Sequence, residues 1–160
     1  MRFARTLMIV AILALAATPV MAATAVTVPG RAGWISTGLT VTAGQTLTIQ
    51  TLGSVHTAPI PAFHIPGEFK SASGPEGQVA GDLCGVVTAT FPPELLEMTG
   101  PCAFDDAYFG ELIGRIGDTT FAIGDADSFV APATGTLELA VNDLTLTYFD
   151  NTGTFIVLFR

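Results

Sequence analysis

Polar and apolar residues alternate along several short stretches of this chain, as they do in strands that bury one face. Residues 46–52 alternate in this way, and residues 136–141 do the same. Residues 154–159 form a short apolar run rich in aromatic and β-branched side chains, and residues 33–39 also predict a strand around Trp34. Glycines and prolines separate these stretches, so the pattern predicts an all-β sandwich or barrel.

Trp34 is the only tryptophan of the chain. Because it lies inside a strand pattern, we expect it to anchor the core, and a platform for stacking sugars is the alternative.

The alternation fades between Gly53 and Asp106, where seven prolines interrupt the chain. Residues 93–98 could form one helical turn there, with proline in the first turn. Cys84 and Cys102 are the only cysteines, and an even pair in an exported chain predicts one disulfide. This disulfide would pin the irregular stretch.

The first residues have the pattern of a secretory signal peptide. Residues 1–5 form a basic n-region with Arg2 and Arg5, an apolar run from Leu7 to about Ala17 follows, and residues 19–22 end in small side chains. We therefore predict a signal peptide at residues 1–22, a single domain at residues 23–160, and export to the periplasm or beyond. A retained signal anchor is the alternative, although the apolar run is short for a membrane span.

The acidic charge balance narrows the range of partners. The whole chain has a net charge of −8, and loss of Arg2 and Arg5 with the leader would leave four basic against fourteen acidic side chains. Such a chain repels phosphate backbones and anionic membranes, so we predict no nucleic-acid partner. Acidic loops would instead suit a divalent cation.

No catalytic motif stands out. There is no G-x-S-x-G sequence, and His56 and His64 lie among prolines without the spacing of a zinc site, which favours loop histidines. A glycosidase needs two carboxylates across a cleft, and the sequence does not place its candidates together. Those candidates are Glu94, Glu97, Asp105, Asp106 and Glu111. We predict that the protein is not an enzyme.

The densest cluster of oxygen-bearing side chains is residues 142–153, between two predicted strands. These twelve residues contain two carboxylates, two side-chain amides and three threonine hydroxyls. Calcium prefers six to eight oxygen ligands of these kinds. The alternative is an ordinary hairpin turn, because the same residue types favour turns.

The chain resembles the PA-I type of bacterial calcium-dependent, galactose-binding lectins. Four stretches carry the resemblance, in the family's order, over nearly all of the mature chain: residues 33–39, 44–49, 110–117 and 141–155. The resemblance implies a jelly-roll-like antiparallel β-sandwich, similar to galactose-binding domains. It also implies a non-catalytic protein that binds Ca²⁺ and a glycan.

The resemblance assigns roles to residues of the last long loop. Calcium would be held by the side chains of Asp143, Thr147, Asp150 and Asn151. A backbone carbonyl after Gly53, at His56 or Thr57, would add to them. Two sugar hydroxyls would complete the calcium shell, and the residues implied in sugar binding are Asp143, Leu144, Thr147 and Asp150.

The second sugar-contacting loop departs from the family pattern. No His-Pro-x-Gln is present, and the corresponding region before Asp105 contains Glu94, Glu97 and the cysteine pair. The resemblance therefore supports calcium binding more strongly than it supports galactose specificity.

We expect an exported calcium-dependent lectin, and multivalency would favour a homo-oligomer. The alternative is a structural or adhesive envelope protein on the same sandwich, calcium-stapled or metal-free, without sugar binding.

Overall fold

The computed structural model describes residues 24–57, 69–70, 83–124 and 128–160. Regular structure within these ranges is mostly β-strand, with two short α-helices and one 3₁₀ turn. The strands are β1 (Thr24–Pro29), β2 (Ile35–Val41), β3 (Thr46–His56), β4 (Phe69–Lys70), β5 (Leu112–Ile116), β6 (Thr119–Ala122), β7 (Ser128–Val130), β8 (Gly135–Val141) and β9 (Thr152–Phe159). The helices are α1 (Cys84–Thr88) and α2 (Pro93–Thr99), and the 3₁₀ turn is Tyr148–Asp150.

The strands form two sheets in which every described pairing is antiparallel. The first sheet has the order β1-β9-β3-β4, and β7 pairs with the start of β3. The second sheet has the order β2-β8-β5-β6. The predicted all-β sandwich is confirmed.

The main core lies between the two sheets and follows the alternation of the sequence. In β3, Leu47 and Ile49 are buried while Thr46, Thr48 and Gln50 are exposed. The fully buried aromatic rings of Phe155 and Phe159 come from β9, and the second sheet contributes Leu112, Ile116, Leu137 and Leu139. Burying each large apolar side chain contributes roughly 1.5–3 kcal/mol, which makes this alternation the main determinant of the sandwich.

A smaller apolar cluster forms beside the sandwich and contains the disulfide. Cys84 and Cys102 are bonded as predicted, with their Cα atoms 6.1 Å apart. The cluster consists of both cysteines, Phe91, Phe109 and Leu144. The helical turn predicted at residues 93–98 is confirmed as α2, which begins at Pro93.

Several sequence-based expectations need correction. Strand β1 precedes the first strand that the sequence predicted. Trp34 was expected inside a strand, but it lies one residue before β2. Its side chain is half-buried and packs on a small cluster with Ala107 and Ile113 rather than in the main core. The Arg115 guanidinium lies 4.4 Å from the centroid of its ring. His56 is the last residue of β3 rather than a loop residue.

Residues 1–23 and His64 lie outside the described residues, so the signal peptide stays a prediction. Within the described part of the chain, no helix is long and apolar enough to cross a membrane.

Candidate functional site

Residues 142–151 connect the two sheets at one end of the sandwich. The loop leaves β8, which lies between β2 and β5, and enters β9, which lies between β1 and β3. The alternative of an ordinary hairpin turn is therefore wrong, because β8 and β9 do not pair. The polar residues predicted to bind calcium lie in a connection between two central strands, so both of its ends are held by sheet.

Asn142 ties the start of this loop to the segment at residues 104–108. Its side chain is fully buried, and Nδ2 donates to the carbonyls of Phe104, Ala107 and Tyr108 at 2.9–3.1 Å. Its Oδ1 accepts from the Phe104 N–H at 3.0 Å. The amide is thus used entirely to hold neighbouring backbone, a role that was not predicted from the sequence.

Asp143 is a buried carboxylate, only 5% exposed. Its Oδ1 accepts from the Leu144 N–H at 2.7 Å and, at 3.4 Å, from the Thr147 hydroxyl. Its Oδ2 accepts from Nδ2 of Asn151 at 2.7 Å. No arginine, lysine or histidine among the described residues forms an ion pair with it. A buried carboxylate with only neutral partners is costly unless a cation is bound.

The electrostatics of the loop reflect this arrangement. The pKa of Asp143 is raised from 3.8 to about 6, mainly by burial and to a smaller extent by the negative charge of Asp150. The hydrogen bonds from Leu144, Asn151 and Thr147 oppose this rise. Burial also raises the pKa of Asp150, and the pKa of Tyr148 rises through burial and then through the charge of Asp143. A bound dication would reverse this effect on Asp143, because it favours the charged carboxylate.

Asn151 contributes an oxygen atom that nothing in the described structure satisfies. The side chain is 2% exposed, and its Nδ2 donates to Asp143 Oδ2 and, at 3.1 Å, to the Gly30 carbonyl. Its Oδ1 is buried without a hydrogen-bond partner among the described residues, as is the Tyr148 hydroxyl. Nearly all buried polar atoms in proteins have a partner, so such an atom points to a water molecule or an ion.

The structure brings most of the expected calcium ligands together. Direct hydrogen bonds join Asp143 to Thr147 and Asn151, and the Thr147 hydroxyl also donates to the Leu144 carbonyl at 3.1 Å. Asp150 ends the 3₁₀ turn, is exposed, and is close enough for its charge to act on Asp143. These groups offer only oxygen ligands, which suits a hard cation such as calcium.

Thr57 and Leu144 are the other two residues expected at the site. Thr57 is buried and directly follows β3, whose last residue, His56, pairs with Thr152 beside Asn151. This register puts Thr57 at the C-terminal end of the loop. The Leu144 side chain is fully buried, so only its backbone could contact a sugar.

The remaining acidic candidates do not form a second site in the described structure. Glu111 is mostly buried, and its Oε2 accepts from the Tyr108 N–H at 2.9 Å. Glu94 lies in the first turn of α2, and its side chain is exposed. The described residues contain no group of three or more Asp, Glu, His or Cys side chains that could hold a metal. A calcium site in the loop would therefore rely on two carboxylates and on neutral oxygens.

An open cleft of about 400 Å³ adjoins the loop on the side of β9. It is lined by Pro29, Arg31, Asn151, Thr152, Gly153 and Thr154. Gly30, in the turn after β1, forms part of the same junction, since its N–H donates to the Gly153 carbonyl at 3.0 Å and its own carbonyl accepts from Asn151. This turn is not predictable as part of the site, because nothing in the sequence of residues 29–32 marks it as a neighbour of residue 151.

No family model and no curated protein matches the sequence. Among solved structures, the chain is similar to one described as "EclA N-terminal domain; PllA-like lectin". The TM-score is 0.56 with 19% sequence identity, over 85% of this chain and 93% of that chain. The chain shares the fold of this lectin domain. At this identity the likeness concerns the fold, and the resemblance to PA-I type lectins in particular stays a prediction.

Proposed function

We propose that this chain is an exported, non-catalytic protein that binds carbohydrate in a calcium-dependent manner over the loop at residues 142–153. The observation that carries the proposal is the buried Oδ1 of Asn151, which has no hydrogen-bond partner in the described structure and belongs to the side chain that hydrogen-bonds Asp143. A cation between these groups would satisfy the orphan oxygen and offset the charge of the buried carboxylate. The lectin fold agrees with this use of the loop.

Five residues of the chain would hold the cation. Asp143 and Asp150 supply negative charge, while Thr147, Asn151 and the Thr57 carbonyl supply neutral oxygens. When bound, calcium offers coordination positions that two neighbouring sugar hydroxyls can fill in place of water. The Leu144 N–H and the Thr147 hydroxyl orient the Asp143 carboxylate in advance, so that little reorganisation is needed on binding.

Galactose or a related sugar is the ligand that the PA-I resemblance favours. The surface around the site differs from that family, since the region before Asp105 contains α2, with exposed Glu94 and Glu97. We therefore propose a glycan with a vicinal diol as the ligand class and galactose as the first sugar to test.

A second candidate is an adhesive or structural envelope protein on the same sandwich. The observation in its favour is that Leu146 and Phe149, both in the site loop, are 56% and 77% exposed. Exposed apolar side chains on one loop suit contact with another protein. This candidate would use calcium as a staple or not at all.

Calorimetric titration of the disulfide-intact protein with galactose, in calcium and then in EDTA, separates these functions. We expect heat in calcium that disappears in EDTA. Asp143→Ala should abolish the heat without unfolding the chain, whereas Asp118→Ala, an exposed acid in the β5–β6 turn, should leave it unchanged. Normal binding by Asp143→Ala would disprove the site.

Calcium-dependent melting without any glycan bound on a broad array would favour the structural candidate. No response to calcium in titration or melting would disprove the proposed calcium-dependent binding.

A further inference from the structure

The site loop is hydrogen-bonded along one side to the segment that carries Cys102. Leu144 and Cys102 form an isolated antiparallel β-bridge. Three backbone hydrogen bonds of 2.9 Å continue the contact on both sides of it. They run from Ala103 N to Asp143 O, from Thr145 N to Pro101 O, and from Leu146 N to Thr99 O. The backbone at residues 143–146 is therefore held by residues 99–103.

The disulfide holds this supporting segment in turn. It joins Cys102 to Cys84, the first residue of α1, and both side chains are buried. The Cys84 N–H donates to the Ala107 carbonyl at 2.9 Å, and the Gly85 N–H donates to the Asp105 carbonyl at 3.0 Å. The fully buried Leu144 side chain packs in the same apolar cluster as the disulfide. Cys102 is thus fixed between α1 on one side and the site loop on the other.

We propose that the Cys84–Cys102 disulfide is a positioning element of the ligand site. It keeps Cys102 in register with Leu144, and the Leu144 N–H in turn orients Oδ1 of Asp143 at 2.7 Å. Breaking the disulfide frees the supporting segment, so the carboxylate loses its fixed direction. The inference deepens the proposed function and rests on it, because the group being positioned is the proposed calcium ligand.

The arrangement predicts a local effect rather than a general loss of stability. Within the described residues 83–111, no residue belongs to a strand of either sheet. The disulfide packs in its own cluster, and none of the buried residues of the main core belongs to it. The sandwich should consequently persist without the disulfide while the site loop loosens.

The test compares Cys84→Ala/Cys102→Ala with Leu47→Ala by calcium titration at a temperature where both variants are folded. Leu47 is buried in β3, nine residues from His56, which is about 30 Å along an extended strand. Loss of a group that orients a metal ligand typically weakens metal binding about 10- to 100-fold, and we expect this for the double variant. A distant core change should alter binding by no more than about twofold. Equal weakening in both variants, or none in the double variant, would overturn the proposal.

Hydrogen exchange of the metal-free proteins supplies a readout that does not require calcium binding. In the double variant, the amides of Thr145 and Leu146 should lose protection while those of β3 and β9 keep it. Unchanged protection of the loop, or loss of protection throughout β3 and β9, would refute the inference. Reduction of the folded wild-type protein with a phosphine should produce the same local loss of protection at Thr145 and Leu146, and unfolding of both the double variant and the reduced protein would refute the inference.

Failure of the wild-type protein to bind calcium would disprove the proposed function. The exchange data would then still decide whether the disulfide positions the loop.

Discussion

The buried carboxylate of Asp143 should make the metal-free protein less stable as the pH rises. Its pKa is raised from 3.8 to about 6 in the folded state, mainly by burial. Between these values the unfolded chain has released the proton while the folded chain still holds it, so the unfolded state binds fewer protons. By linkage, the free energy of unfolding then falls with increasing pH, and the loss is complete above about pH 6.

The size of this effect follows from the same two values. One pH unit of pKa difference corresponds to about 1.4 kcal/mol, which makes the total cost of the charged Asp143 about 3 kcal/mol at neutral pH. The side chain is only 5% exposed, so solvent screening reduces this value little. Such a loss is a large fraction of the 5–15 kcal/mol that is typical of a folded domain.

Urea unfolding of the wild-type protein and of Asp143→Asn, in metal-depleted buffers from pH 3.5 to pH 8, measures the effect. Other carboxylates titrate in both proteins, so the difference between the two unfolding free energies is the relevant quantity. We expect Asp143→Asn to gain about 3 kcal/mol relative to wild type between pH 4 and pH 7. Asp118→Asn serves as the control and should follow wild type within about 0.5 kcal/mol.

Two results would contradict this prediction. If the unfolding free energies of wild type and Asp143→Asn changed in parallel with pH, burial would not be raising the pKa of Asp143. A wild-type stability that rises with pH relative to the variant would show that a cationic group pairs with Asp143. Repeating the series with calcium should restore the wild-type protein above pH 6 and have progressively less effect below it, because calcium needs the deprotonated carboxylate.

Two further predictions concern the support of the loop. Asn142→Ala removes four hydrogen bonds and leaves buried backbone groups unpaired. The free energy of unfolding, measured in denaturant, should therefore fall by at least about 3 kcal/mol. A fall of less than about 1 kcal/mol would contradict the role of this amide. Gly30→Ala would place a Cβ atom 2.8 Å from Cγ1 of Val55 and 3.0 Å from the Thr152 carbonyl oxygen, so either the turn or these neighbours must shift. We expect a loss of about 1–3 kcal/mol and a lower melting temperature, and an unchanged melting temperature would show that the turn adapts.

The sequence predicted those parts of the fold that depend on local patterns. The alternation in β3 and β8, the apolar run of β9 and the proline at the start of α2 all produced the expected elements, because each reflects which side chains meet the core. The two cysteines paired as their number suggested. Strand β1 was missed, although its buried Val26 and Val28 alternate with exposed residues.

The site was predictable in composition but not in architecture. The oxygen-rich residues around Asp143 could be found from the sequence, because the residue types that carry oxygen atoms are visible there. The supports could not be found, since they depend on long-range neighbours. Asn142 looks like any turn asparagine until residues 104–108 are seen around it, and the Gly30 carbonyl is a backbone atom more than a hundred residues away from Asn151. His56 was expected in a loop because prolines surround it, yet pairing with Thr152 extends β3 to include it.

The position of β9 also sets the order in which the protein can fold. This strand follows all the other described strands in the sequence, yet it pairs with β1 on one side and with β3 on the other. Until residues 152–159 have been synthesised, β1 and β3 have no strand between them, and both present unpaired edges. The first sheet, and with it the candidate binding loop, can therefore form only after residues 152–159 are available to pair. For a protein that crosses a membrane before folding, such late closure would keep the chain open during its passage.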